Sequence, residues 1–297
     1  MSTVSVNSIE NSVLASESMV SRTGEMFKIG DGFKALAYRD RDFSHQMDPL
    51  VMVDHYHMEK PTFGAHPHAG MSAVSVIFED SRGALHNRDS LGNDFDIMPG
   101  DLYWLKAGAG VIHDEAPRQS AKIHGLQVFV NLPSKLKTSE PNSLHVKAQD
   151  MPSLKGEGYR VRIVLGESNG IKGHASPALP MTILDGYIES NVSFTYQQEG
   201  GDNVWITVIA GELSVSVNGQ QRNIQEGQAI ALSDFQANTR NDVALKNTGS
   251  KSAHFALVVG KPLNETYVQK GPFVMSSQAD IAQVEADFAN GKFGSLA

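Results

Sequence analysis

The apolar residues of this chain recur at every second position in short runs, and that period confines most of the molecule to β-strands. Val204, Ile206, Val208 and Ala210 alternate with other residues, and Leu213, Val215 and Val217 continue the spacing. Asn218-Gly219 then supplies two residues that tolerate positive φ, which is what a two-residue type I′ hairpin needs. Further strands are predicted at 50–53, 74–78, 102–105, 126–131, 159–165, 229–232, 243–246 and 255–259. Many short strands punctuated by Gly, Pro, Asn and Asp predict an all-β chain built as closed barrels or jelly rolls. Only the C-terminal tail has helical spacing, with Ile281, Val284 and Phe288 on one face and Gly291 placed to end a short helix.

A chain of 297 residues is long enough for two ordinary domains. The segment Ile97-Met98-Pro99-Gly100-Asp101-Leu102 parallels Ile224-Gln225-Glu226-Gly227-Gln228-Ala229, a Gly turn entering an apolar strand in both cases. The offset is 224 − 97 = 127 residues. Two similar barrels are therefore predicted, an N-terminal one over residues 1–135 and a C-terminal one over 150–297, with a linker rich in Lys, Ser and Pro near 132–154.

Composition removes several classes of function. There is no cysteine, so disulfides, thiolate metal sites and cysteine nucleophiles are excluded and any metal must be held by His, Asp or Glu. The net charge of −8 and a pI near 5.7, without a basic stripe, argue against direct contact with nucleic acid. The Ser-rich N-terminus has neither a basic nor an apolar targeting region, and no apolar run approaches a membrane span of about 20 residues. A cytoplasmic protein is the expectation.

Eight of the eleven histidines precede the linker. His66-Pro67-His68 places two imidazoles two residues apart, which on a strand directs both to one face. His113-Asp114-Glu115 repeats the spacing with a carboxylate as its second group. Three neutral nitrogens and one anionic oxygen suit a single Fe(II), Mn, Co, Ni, Cu or Zn ion better than Ca or Mg, and leave positions open for a ligand. Ala107-Gly108-Ala109-Gly110 permits a close turn just before the second pair. His55 and His57 form another HxH, but with no second HxE to complete a set they are assigned to the cavity mouth or the surface. His86 is a candidate pocket or loop group, Trp104 a core residue, and His174 and His254 isolated structural histidines. Adding 127 to the four ligand positions gives Ser193, Thr195, Arg240 and Asp242, so the second barrel is expected to be metal-free.

In order, Asp48-Pro49, Gly64-Ala65-His66-Pro67-His68, Arg88-Asp89-Ser90-Leu91-Gly92, Pro99-Gly100-Asp101, Trp104, Ala107-Gly108 with Gly110, and His113-Asp114-Glu115 resemble the pirin family of bicupins. The likeness is strong from about Asp48 to Pro133, weak from Pro152 to Gly260, and moderate in the tail, at Gly271-Pro272-Phe273-Val274-Met275 and Gly291-Lys292-Phe293-Gly294. It implies two cupin jelly-roll barrels with a short C-terminal helix, and it places the family's metal ligands on His66, His68, His113 and Glu115. Iron is the ion it favours. The family usually follows HPH with Arg-Gly, an aromatic residue and Glu, whereas this chain has Ala69-Gly70-Met71-Ser72; the missing Arg and Glu are expected beside the metal, where their loss would alter the pocket.

The resemblance implies a dioxygenase of the quercetin 2,3-dioxygenase (quercetinase) type, with O2 and a small flavonol-like aromatic as partners and Glu115 as general base. The alternative it leaves open is a regulatory pirin, similar to the family's transcriptional cofactors, whose metal state alters a protein-binding surface without turnover.

Overall fold

Asn218 and Gly219 both have positive φ (50° and 77°) and join strands Glu212–Val217 and Gln220–Gln225, as the hairpin chemistry requires. The same logic repeats along the chain in the computed structural model, which describes residues 18–233, 235–236 and 239–296. The Ser-rich N-terminal stretch up to residue 17 lies outside those residues.

Each half is a seven-stranded sheet packed on a four-stranded one. In the N-terminal half the large sheet runs Asn142–Val146, Leu102–Lys106, Met71–Ile77, Ile123–Asn131, Leu50–Met58, Phe33–Arg39, Glu25–Ile29. Its small sheet runs His66–His68, Val111–Pro117, Leu85–Asp89, Asp94–Ile97. The C-terminal half repeats the plan, and the chain is thus two cupin barrels followed by one short helix, Gln278–Ala289. Ser277 caps that helix by accepting from the Asp280 amide. Ile281 and Val284 bury its inner face, while Phe288 stays partly exposed. Among the described residues no helix is long and apolar enough to cross a membrane.

The two large sheets face each other across one shared core. Trp104, Val128 and Tyr38 from the first half meet Trp205, Val258 and Ile183 from the second, all nearly inaccessible to water. Tyr38 packs edge-on against Trp205 at 5.4 Å and donates its hydroxyl to the Gly227 carbonyl at 3.0 Å. Where the seam turns polar, Arg162 donates to Asp185 Oδ2 at 2.6 Å and to the Gly100 carbonyl at 2.8 Å, and the other Asp185 oxygen meets His254 Nε2 at 2.6 Å. His254 is therefore a satisfied core histidine, as the sequence indicated.

The ends of the chain are exchanged between the halves. Met19–Thr23 pairs with Gln228–Leu232 and completes the second barrel's sheet, although it precedes the first barrel in sequence. The predicted linker contains the edge strand Asn142–Val146, paired with Leu102–Lys106. Its Asn-Ser-Leu-His-Val sequence has too few apolar positions to show a period.

The tail returns to brace the first barrel. Phe273 bridges Ala69 in parallel, the Val274 amide donates to the Ala69 carbonyl at 3.0 Å, and the Lys137 ammonium, buried and held down to about 8 by that burial, donates to the Gly70 and Val274 carbonyls. Phe293 lies over Gly110, whose φ of +144° is closed to other residues and whose Cβ, if present, would stand 2.1 Å from the Phe293 ring.

Two stability results are expected. Asp185→Ala strands the Arg162 guanidinium in the seam and should cost about 3–5 kcal/mol, read as a lower urea midpoint; an unchanged midpoint would refute the role given to this pair. Gly110→Ala should destabilise the tail, and in a double-mutant cycle its effect should be non-additive with Phe293→Ala by about 0.5–3 kcal/mol. Simple additivity would show that the two do not meet.

Candidate metal centre

The cavity of the first barrel is shaped by strand parity. On Leu50–Met58 the side chains of Met52, Asp54, Tyr56 and Met58 point inward, and Gln127 and Phe129 do so from the paired strand Ile123–Asn131. With Phe33, Phe63, His66, His68, His113 and Glu115 they enclose 160 Å³. Phe63 stands at the mouth, nearly half exposed. A larger cleft of 440 Å³ in the second half, which includes His174, gathers no comparable group of ligands among the described residues.

His66–His68 is an edge strand, where Pro67 costs no ladder bond to a further neighbour. It pairs antiparallel with Val111–Pro117 so that His66 lies directly opposite His113 and His68 opposite Val111. All three imidazoles therefore share one face. The strand carrying His113 is fixed from behind: Arg88 pairs with Asp114 at 2.9 Å, and Ser90 exchanges hydrogen bonds with Ile112. Asp89, opposite His113, accepts from the Leu91 and Asn93 amides and from Tyr103. Those bonds close the Arg88-Asp89-Ser90-Leu91-Gly92 turn, with Gly92 at φ +89°.

The tautomers follow from the partners. His66 Nδ1 lies 2.8 Å from the Gly64 carbonyl and His68 Nδ1 3.4 Å from the Pro272 carbonyl, and a carbonyl can only accept. Both rings thus keep their proton on Nδ1 and present a bare Nε2 lone pair. His113 Nε2 lies 3.0 Å from that of His68 and 3.1 Å from that of His66. Burial first, then the neighbouring rings, pushes His68 down to about 3 and His113 well below the usual range, so neither carries charge near neutrality.

One proton on His113 Nε2 cannot serve two lone pairs, and its Nδ1 is buried without a partner. A cation resolves the conflict. Nitrogens about 2.1 Å from one ion on adjacent octahedral positions stand about 3.0 Å apart, which is the spacing of these atoms. The three histidines fit a metal ion.

Glu115 lines the same cavity but is not part of the group whose ligand atoms all lie within 4.8 Å of one another. It sits two residues beyond His113, and its oxygens each lie 2.9 Å from the Ser75 hydroxyl, which also faces Gln127. Burial pushes its carboxyl up to about 7. To join the histidines it would have to turn away from Ser75.

Other expectations are displaced. Ala69 and Ser72 do not line the cavity: Ala69 packs under Phe273 and Met275, and Ser72 faces away from the Ser75 side of its strand. Neither position therefore contributes to the cavity walls of this chain. His55 and His57 point out of the opposite face from Tyr56, away from the cavity. His86 is paired with Asp94 at 2.8 Å on a solvent-facing edge. The residues that sequence reasoning missed are Ser75, Gln127 and the Pro272 carbonyl. Parity flags Ser75 as a hydroxyl on the inward face of an apolar strand, whereas nothing in the sequence signals a backbone carbonyl 204 residues from its histidine.

Residues 29–130 match the family described as Pirin, and residues 183–294 match the Pirin C-terminal cupin domain. The chain is 32% identical to Pirin of Homo sapiens over 249 residues, 84% of this chain and 83% of that one. It is 30% identical to a pirin-like protein of Solanum lycopersicum over 266 residues, 89% and 88% of the two chains. Among solved structures, a quercetin 2,3-dioxygenase of Acinetobacter baumannii superposes with a TM-score of 0.81 at 28% identity, covering 94% of this chain and 98% of that one. The chain belongs to the pirin family of bicupins.

Proposed function

We propose that this pirin is a metal-dependent dioxygenase of the quercetin 2,3-dioxygenase type, holding one mononuclear ion, iron by preference, through His66, His68, His113 and Glu115. The observation that carries the reading is the convergence of two bare Nε2 lone pairs on His113 Nε2 inside an apolar, aromatic-walled cavity. The likeness to the Acinetobacter protein named for quercetin supports the substrate class. Mn, Co, Ni, Cu and Zn suit the same donors.

A bound ion would supply Lewis acidity to an enolic or phenolic hydroxyl and a meeting place for that substrate and O2. The chain's own residues do the rest. Phe33, Phe63 and Phe129 offer ring faces and edges to an aromatic substrate and exclude water. When it is not holding the ion, Glu115 lies against the Ser75 hydroxyl and accepts the substrate's hydroxyl proton on a carboxylate oxygen. A cavity of 160 Å³ is below the roughly 300–1,000 Å³ of sites for drug-sized ligands, so it admits one ring and leaves the remainder of a flavonol against Phe63 at the mouth.

The test is oxygen uptake with quercetin alongside metal quantification. His66→Ala should remove one equivalent of metal and lower uptake by more than the roughly 10–100-fold that loss of an outer hydrogen-bond partner costs. Wild type that holds the metal but consumes no oxygen would refute the dioxygenase reading and favour a binding or regulatory role; failure to load any ion in the cavity would refute the site.

A further inference from the structure

The strands that wall the cavity have a second face. On Leu50–Met58 the residues between the cavity-facing ones, His55 and His57, point to the other side of the sheet, and pairing sets His57 directly opposite His124 on the neighbouring strand. The imidazoles of His55, His57 and His124 each offer a nitrogen within 4.8 Å of the others. His55 Nε2 lies 2.7 Å from His124 Nε2, and the His57 and His124 rings are stacked at 4.2 Å. The cluster sits at the edge of the seam, with Phe78 between it and the His254–Asp185 pair of the second barrel.

We propose that His55, His57 and His124 form a second site, separate from the cavity, for a late first-row divalent cation of the zinc, nickel or copper type. The donor set is imidazole alone, which such ions accept and Ca or Mg do not. Asp80 orients the site: both its oxygens lie 2.9 Å from His124 Nδ1, which places that ring's proton on Nδ1 and leaves Nε2 as a lone pair, the carboxylate–histidine arrangement found behind metal ligands. The Ser81 hydroxyl, held by the His124 amide and carbonyl, fixes the turn that carries Asp80.

His55 Nδ1 is buried with no partner, so the ring gains only one polar contact from the protein although it is almost wholly enclosed. Burial and the neighbouring rings keep His55 and His57 unprotonated near neutrality, as ligands must be. His57 and His124 are each partly open to solvent, which gives an ion a way in and a position for water. Ligand nitrogens around one such ion stand about 3.0–3.4 Å apart, so binding parts His55 and His124 by a few tenths of an ångström and turns His57 out of its stack.

Protein stripped with chelator and titrated with Zn(II) or Ni(II) alone, followed by calorimetry and native mass spectrometry, tests this. In a His66→Ala/His68→Ala background, which disables the cavity, one equivalent should remain, and adding His57→Ala should weaken it at least about 10-fold. Asp80→Asn should weaken it without touching a ligand, which guards against a histidine variant that fails to fold. No residual equivalent in the cavity-disabled protein, or one indifferent to both His57→Ala and Asp80→Asn, would overturn the second site. Because the cavity is disabled throughout, the result is independent of whether the chain is a dioxygenase.

Discussion

The antiparallel pairing of Leu50–Met58 with Ile123–Asn131 is the constraint on which the rest of the molecule depends. A strand has two faces, and this pair uses both. Met52, Asp54, Tyr56 and Phe129 wall the cavity, whereas Val53, Val128 and Val130 pack into the core shared with the second barrel. A slip of one residue would exchange the two sets and put Val53 in the cavity and Tyr56 in the seam. Burial on both sides is what holds the register.

The histidine centre is likewise a product of register. His66 and His113 are cross-strand neighbours on a small sheet whose edge is tied down by the returning tail, and it is the tail's Pro272 carbonyl that sets the His68 tautomer. The second barrel contributes by a different route: its sheet backs the first barrel's sheet through Trp205 and Tyr38 and holds the first described strand, Met19–Thr23. The segments that close each barrel are thus supplied partly from the far end of the chain.

The parts legible in the sequence were those whose physics is local. Period-two runs located most core strands, Asn218-Gly219 located a hairpin, and HxH with HxE located three imidazoles that converge. What could not be read depends on contacts distant in sequence. Met19–Thr23 has one neighbour more than 200 residues away, His124 joins His55 and His57 only through strand pairing, and Asn142–Val146 is too polar to show a period. The resemblance places the family's Arg and Glu, replaced here by Ala69 and Ser72, beside the metal, since both positions closely follow His68. In this chain neither side chain reaches the cavity, because Ala69 turns toward the tail and Ser72 toward the far side of its strand.

The most direct test of the central claim is anomalous diffraction at the iron edge from crystals of the iron-loaded protein. The account predicts one strong peak about 2.0–2.2 Å from the Nε2 atoms of His66, His68 and His113, with the Glu115 carboxylate turned from Ser75 toward it. A loaded crystal with no peak among these three histidines, and Glu115 still held by Ser75, would contradict it.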